Sequence, residues 1–182
     1  MENAHETVMR LERLDPLVCP DLQIRRATGD DATEIARCYR RAYATASERG
    51  YRTRLTDVDA ETVADWLAAG GTTLVAVDGG DDLGSESVVG TIRLLEDATP
   101  TVERLAVVPE RRREGIAAQL LERAERLAAR GDDRLQLATF DDHPFLLEWY
   151  DRRGYEPIEC PDSPALTRGV VVLEKSLGPT RA

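Results

Sequence analysis

Lysine is almost missing from this chain. Lys175 is the sole lysine among 24 cationic residues, the rest being arginine. Cations are also outnumbered: Asp and Glu total 34, and the formal net charge is −10. That balance argues against a nucleic-acid binder, which normally carries a basic patch. The excess of acid favours solubility, and salt screens its self-repulsion, a composition suited to a GC-rich genome and a salt-adapted cell. Cysteine is scarce too. Cys19, Cys38 and Cys160 are odd in number and far apart. They suit neither a disulfide framework nor a zinc site and fit reduced thiols in a cytoplasmic protein. No apolar run is long enough to span a membrane. The N-terminus, MENAHETVMRLERLDP, has acidic residues and no apolar core segment, so it does not read as a secretory signal.

What is present suits one domain with a real core, since the chain has 182 residues. Residues 1–20, closed by Pro16 and Pro20, read as an N-terminal arm. Residues 21–178 read as the domain and 179–182 as a tail. The stretch from Val102 to Arg130 organises it. Val102, Arg104, Ala106 and Val108 alternate with Glu103, Leu105 and Val107 as in a strand, which Pro109 ends. A polar turn follows. Gly115 then opens a helix whose apolar positions Ile116, Leu120, Ala124, Leu127 and Ala128 keep helical spacing, with Gly131 as its stop. A strand, an arginine-bearing turn and a helix N-terminus make an anion site. The first helical N–H groups lack partners, the helix dipole adds positive potential, and Gly115 has no Cβ to obstruct a ligand. Arg111, Arg112 and Arg113 carry guanidinium groups suited to phosphate oxygens. The plainer alternative is an ordinary strand-to-helix turn with solvated arginines.

The other elements read as follows. Leu22 to Ala27 is a strand. Asp31 and Glu34 have capping-box spacing ahead of a helix with the apolar stripe Ile35, Cys38, Tyr39, Ala42, Tyr43 and Ala46, ended by Gly50. Asp59 caps a second helix closed by Gly70-Gly71. Thr72–Val77 and Val88–Leu95 are strands, with Gly90 marking a close approach or bulge. Leu135, Leu137 and Thr139 lie on a further strand. Asp141-Asp142-His143-Pro144 begins a helix, which Gly154 ends. Tyr155–Glu159 and Arg168–Leu177 complete the set. The order is β-α-α-β-β-β-α-β-α-β-β, which is α/β or α+β with a mixed sheet.

Arg112-Arg113-Glu114-Gly115-Ile116-Ala117 matches the R/Q-x-x-G-x-G/A acetyl-CoA signature of the GNAT superfamily of N-acetyltransferases. Glu103 to Pro109 resembles that family's fourth strand, and Glu148 to Tyr155 resembles its LY-x-x-x-GF segment. The resemblance spans roughly Ile24 to Leu177. It implies a mostly antiparallel sheet of about seven strands flanked by about four helices. It also implies that the fourth and fifth strands splay apart around the pantetheine of acetyl-CoA, the co-substrate. The implied cofactor contacts are Leu105, Ala106, Val107, Arg112, Arg113, Glu114, Gly115, Ile116, Ala117 and His143. His143 stands where the family often has asparagine, and Leu146 where it often has alanine.

Acetyl transfer to an amine needs a base, a place for an oxyanion and an acid for the leaving thiolate. Glu103 is the candidate base, although a carboxylate of pKa about 4.3 must be raised for the task. Its alternative role is an ion pair with Arg104 or Arg93. The resemblance puts the oxyanion at backbone N–H groups near Ala106 or Val107, at a bulge. Tyr150 is the candidate acid, since a phenol of pKa about 10 can protonate a thiolate whose acid has a pKa of about 8.5. Its alternative role is aromatic packing. Asp141 and Asp142 read as solvated helix-entry charges, and no metal is expected. The acceptor side would be built from residues 50–59, the second helix and residues 160–168. It offers Tyr43, Tyr51, Arg52, Arg54 and Trp66, which read equally as core aromatics and a solvated loop.

The expected activity is acetyl transfer from acetyl-CoA to a primary amine of a small molecule or protein, by direct attack in a ternary complex. The alternatives are a non-catalytic acyl-CoA-binding sensor or assembly subunit, and a nucleotide-binding module. The last lacks both G-K-[ST] and G-x-G-x-x-G. No nucleic acid or membrane partner is expected. The acidic surface and an exposed last strand leave a homodimer open.

Overall fold

Each periodicity break in the sequence becomes a chain reversal in the structure, a computed structural model that describes residues 22–48, 50–51, 53–79, 87–143, 145–159 and 169–178. The expected arm and tail, Cys19, Arg52, Pro144, Cys160 and the 160–168 loop lie outside the described residues. The elements are β1 (Leu22–Arg26), α1 (Ala32–Glu48), α2 (Ala60–Ala68), β2 (Thr72–Asp78), β3 (Ser87–Leu95), β4 (Thr101–Val107), α3 (Ile116–Ala128), β5 (Arg134–Phe140), α4 (Leu146–Asp151), β6 (Glu156–Ile158) and β7 (Val170–Ser176). Their order is the one read from the sequence. They form one seven-stranded sheet in the order β1-β2-β3-β4-β5-β7-β6. Only β4 and β5 are parallel neighbours; every other pair is antiparallel. β7 therefore lies inside the sheet, and β1 and β6 are its edges. This corrects the expectation of an exposed last strand, because β6 follows α4 back onto β7.

The helices cover opposite faces of the sheet. On one face, Arg93 of β3 donates from Nη1 to the Trp66 carbonyl of α2 at 2.6 Å. On the other, α3 packs against Gly90. A Cβ built at Gly90 would stand 2.9 Å from Ile116 Cγ2 and 3.1 Å from Leu120 Cδ1. The register also shifts there, with Ala76 opposite Gly90 and Val77 opposite Val88, so both expected features of Gly90 are present. Ile116 and Leu120 are fully buried and have no room to retreat. Gly90→Ala is expected to destabilise the fold by about 1–3 kcal/mol through overpacking, read as a lower urea midpoint at unchanged slope.

Two helix starts differ from expectation. The capping box lies three residues upstream, where Asp31 accepts from the Thr28 N–H at 2.7 Å. Asp31 is held there by a two-pronged pair with Arg25, at 2.8 and 2.9 Å. That pair, helped by the Thr28 bonds, pulls the Asp31 carboxyl below its ordinary range against the cost of burial. Glu34 pairs with Arg37 instead. α4 begins at Leu146, beyond the Asp141-Asp142-His143 turn, whose Asp141 N–H is engaged by the Gly169 carbonyl at 3.0 Å. Asp59 does cap α2, accepting from the Thr62 N–H at 2.8 Å. Cys38 is a core residue, its thiol pushed up to about 12 chiefly by burial.

Candidate active site

A gap in the middle of the sheet defines the site. β4 and β5 pair only at Thr101 with Gln136 and Val102 with Leu137. Past that point β4 continues to Val107 and β5 to Phe140 without pairing to each other. One backbone edge of β4, from Glu103 to Val107, therefore faces an opening. A strand edge without a neighbour offers N–H and C=O groups to any extended ligand that lies along it. This is the expected splay.

The bulge lies within the same segment. Thr91 faces Ala106 and Arg93 faces Glu103, so three steps of β4 span two of β3. Arg104 takes up the extra residue with φ 53, a left-handed conformation that costs a non-glycine residue about 1–2 kcal/mol. The bulge is thus at Arg104–Leu105, two residues before the expected Ala106–Val107. It also overturns the simple alternation read for Arg104. Glu103 shares a face with its partner Arg93, on the α2 side. Arg104 lies on that side too, its guanidinium 4.0 Å from the Trp66 ring centroid and its Nη1 2.7 Å from Glu103 Oε2. Glu103 is therefore half-buried in an ion pair at the mouth of the splay. From α1, the Tyr43 hydroxyl donates to the Leu105 carbonyl at 3.0 Å, bracing the bulge from behind.

At the far end of β4 the three loop arginines have separate duties. Arg111 bonds Glu114 at 2.7 Å and pairs with Asp78. Arg112 turns inward, donating to the Ala42 carbonyl at 2.8 Å, Thr45 Oγ1 at 3.0 Å and the Val107 carbonyl at 3.3 Å. These two side chains fasten the turn to β2 and α1. Both side chains thus have protein acceptors, and those that α1 gives Arg112 lie outside any local sequence pattern. Arg113 is exposed with φ 68 and makes no hydrogen bond or ion pair among the described residues. Gly115, with φ 79, is the N-cap of α3 and has no side chain to satisfy the first turn. The next bond, from Gln119 N–H to Gly115 O at 3.0 Å, leaves the amides of Ile116, Ala117 and Ala118 at the helix mouth. A Cβ at Gly115 would meet only Gln119 Nε2, at 4.0 Å, so the space above it is open. Left-handed turns ahead of an uncapped helix make a concave anion site, and the residues present fit a diphosphate.

Tyr150 stands on α4 with its ring buried. Its ring meets Trp149 edge-on at 4.9 Å and Tyr155 at 5.7 Å. Arg153 lies 3.8 Å over Trp149 and bonds its carbonyl, closing a brace around the tyrosine. The Tyr150 hydroxyl has no hydrogen-bond partner among the described residues. Burial pushes its pKa up to about 12, with Arg153 opposing. Tyr150 is close enough to Tyr43 for its charge to help raise that phenol, after burial and Tyr39. His143 lies in a different cluster, 5.1 Å from the Tyr51 ring and 4.6 Å from Phe145, at the end of β5. Tyr51 also stacks on Phe140 at 4.8 Å. Sequence reasoning offered Tyr43 for the acceptor side and Arg104 as an ion-pair partner of Glu103, but missed that Tyr43 holds the Leu105 carbonyl, that Arg104 lies on Trp66, and the Arg153 brace. Those contacts join segments distant in the chain, and no local pattern signals them.

Four buried or half-buried tyrosines have raised pKa values, burial being the first cause in each. Tyr39 and Tyr150 reach about 12. Below the unfolded value near 10, both states are protonated and stability is unaffected by these groups. Above it, the unfolded chain ionises first and stability falls until the folded values are passed. The unfolding free energy should therefore hold steady from these groups up to about pH 9.5. It should then drop by about 2–3 kcal/mol for each of Tyr39 and Tyr150 by pH 12, measured by urea titration with absorbance of tyrosinate.

Comparisons with known proteins agree with this geometry. The family model described as an acetyltransferase (GNAT) domain matches residues 69–157. An acetyltransferase of the GNAT family from Staphylococcus aureus Mu50 superposes with a TM-score of 0.66 at 19% identity, covering 86% of this chain and 99% of the other. The structure of yncA from Salmonella typhimurium with its cofactor acetyl-CoA gives a TM-score of 0.67 at 17% identity, covering 89% and 97%. The PaiA N-acetyltransferase from Thermoplasma acidophilum in complex with coenzyme A gives 0.62 at 16% identity, covering 85% and 98%. No match is found among curated proteins. No helix among the described residues is long and apolar enough to cross a membrane.

Proposed function

We propose that the chain is a GNAT acetyltransferase that moves an acetyl group from acetyl-CoA to a primary amine by direct attack in a ternary complex. The observation that carries this reading is the pairing pattern of β4. It leaves β5 after Val102, and the strand leads to an uncapped, glycine-started helix. An anion grip and an open strand edge on one continuous segment suit a long ligand with phosphate at one end and amides along its length.

In this reading the amides from Gly115 to Ala117 and the Arg113 guanidinium hold the diphosphate. Arg112 and Arg111 keep the loop in shape. The free edge of Leu105, Ala106 and Val107 binds the pantetheine, with His143 on the opposite lip. Acetyl-CoA supplies an activated carbonyl and a thiolate leaving group. The backbone N–H groups at the bulge stabilise the oxyanion as the amine attacks, because donors fixed in advance need no reorganisation. Glu103 takes the proton of the amine, directly or through water. Tyr150 gives its proton to the sulfur: its phenol is protonated at neutral pH, and its hydroxyl, unengaged among the described residues, supports the role.

The test is incubation with acetyl-CoA and a broad panel of amines and peptides, following free thiol. Release that depends on an amine supports the proposal. Stabilisation by acetyl-CoA with no release from any amine overturns it and favours the non-catalytic binder.

A further inference from the structure

The two substrates of such a transfer would reach the gap from opposite faces of the sheet. The α3 turn serves one face, and α1 with α2 serves the other. On the second face lies a group of charges with an imbalance. Among the described residues, Arg93 and Arg104 stand beside a single carboxylate, Glu103. Arg93 is 6% exposed. Its Nη atoms are used by the Trp66 and Gly70 carbonyls, at 2.6 and 2.9 Å, while its Nε is buried without a partner. Neither carbonyl carries a formal charge, so the Arg93 cation is not neutralised by them. Arg104 lies across Trp66, with a side chain 24% exposed. A guanidinium has five N–H donors. Among the described residues one of those of Arg104 is used, by Glu103.

On this strongly acidic chain, two cations that share one counter-charge among the described residues leave a surplus of positive charge at the mouth of the gap, which suits an anion. The planar Arg104 group has donors unused among the described residues and its face fixed on an indole, the arrangement that suits bidentate recognition of a carboxylate. The strained φ of Arg104 belongs to the same design. It turns the side chain to the acceptor face, where regular alternation would have aimed it at α3.

Resting on the transferase reading above, we infer that the acceptor is an amine bearing a carboxylate a few bonds from the reacting nitrogen, as in an α-amino acid, and that Arg104 binds that carboxylate. The Glu103 oxygen lies 2.7 Å from Arg104 Nη1, so an acid held on the free edge of Arg104 presents its neighbouring amine to Glu103. Arg104 is thus a specificity-determining residue, and Arg93 adds positive potential from below.

The experiment compares α-amino acids with their own α-amides at saturating acetyl-CoA. The amide keeps the side chain and the amine but loses the negative charge. Its amine is also the less basic, so solution chemistry favours the amide. The expected result is a kcat/KM about tenfold or more higher for the acids. Arg104→Gln should erase this preference by raising KM for the acids, with KM for acetyl-CoA unchanged, and Arg104→Lys should restore part of it. Amides turned over as well as acids by the wild-type chain, or losses in Arg104→Gln that are equal for both, overturn the inference while the transferase reading stands. No turnover with any amine overturns both. If Arg104→Gln fails to fold, the wild-type ratio decides.

Discussion

Tyr150→Phe should lower kcat by about 10²–10³-fold while leaving acetyl-CoA affinity within about twofold of wild type. The substitution removes one oxygen from a ring held by Trp149, Tyr155 and the Arg153 brace. That oxygen has no hydrogen-bond partner among the described residues, so its loss leaves no orphaned group in the core. Stability should change little or rise slightly, and the thermal midpoint is the control. A purely structural tyrosine would give the opposite pattern, an unchanged kcat. The variant also tests the leaving-group role. If Tyr150 protonates the thiolate, donors with more acidic thiols should recover part of the lost rate. No such recovery, or a wild-type rate with acetyl-CoA, removes Tyr150 from the chemistry. The high pKa gives a further expectation. The alkaline limb of the kcat profile should not arise from this group below about pH 11.

Gly115→Val should weaken acetyl-CoA binding by about 100-fold or more, measured by calorimetry. Two effects combine. Gly115 has φ 79, where a β-branched residue is strongly disfavoured, so the loop must shift. The added side chain also stands over the amides of Ile116 and Ala117, where the diphosphate would sit. The cost to stability is expected at about 1–2 kcal/mol, because the position is exposed and only Gln119 lies near it. Affinity should therefore fall far more than stability. A variant that binds acetyl-CoA as well as wild type would refute the anion site at this helix and, with it, the placement of the cofactor along β4.

These two positions show how differently the site was written into the chain. Gly115 was legible because its role is local. A polar turn, a glycine and a helical stripe within a dozen residues specify a strand, a reversal and an uncapped helix without reference to anything distant. Tyr150 was legible as a position through its resemblance to a family segment, but its brace depended on packing around α4. Glu103 was legible with two roles, and the ion pair with Arg104 is one of them. Arg112 was read as a phosphate contact, and the protein acceptors of its side chain were not legible. Its acceptors, Ala42 and Thr45, lie some 70 residues earlier, and no local pattern connects them.

The sequence by itself determined the element order, the fold class and the glycine-started turn into α3, because hydrophobic period, proline and glycine act over a few residues. Only the tertiary structure decided where β4 and β5 part, which way Arg104 points, that Tyr43 supports the Leu105 carbonyl, and that β7 is an inner strand. Each of these depends on contacts between segments distant in the chain. Strand register and the placement of a bulge are settled by which side chains a sheet can bury against its two helical layers, a quantity defined only once those layers have assembled.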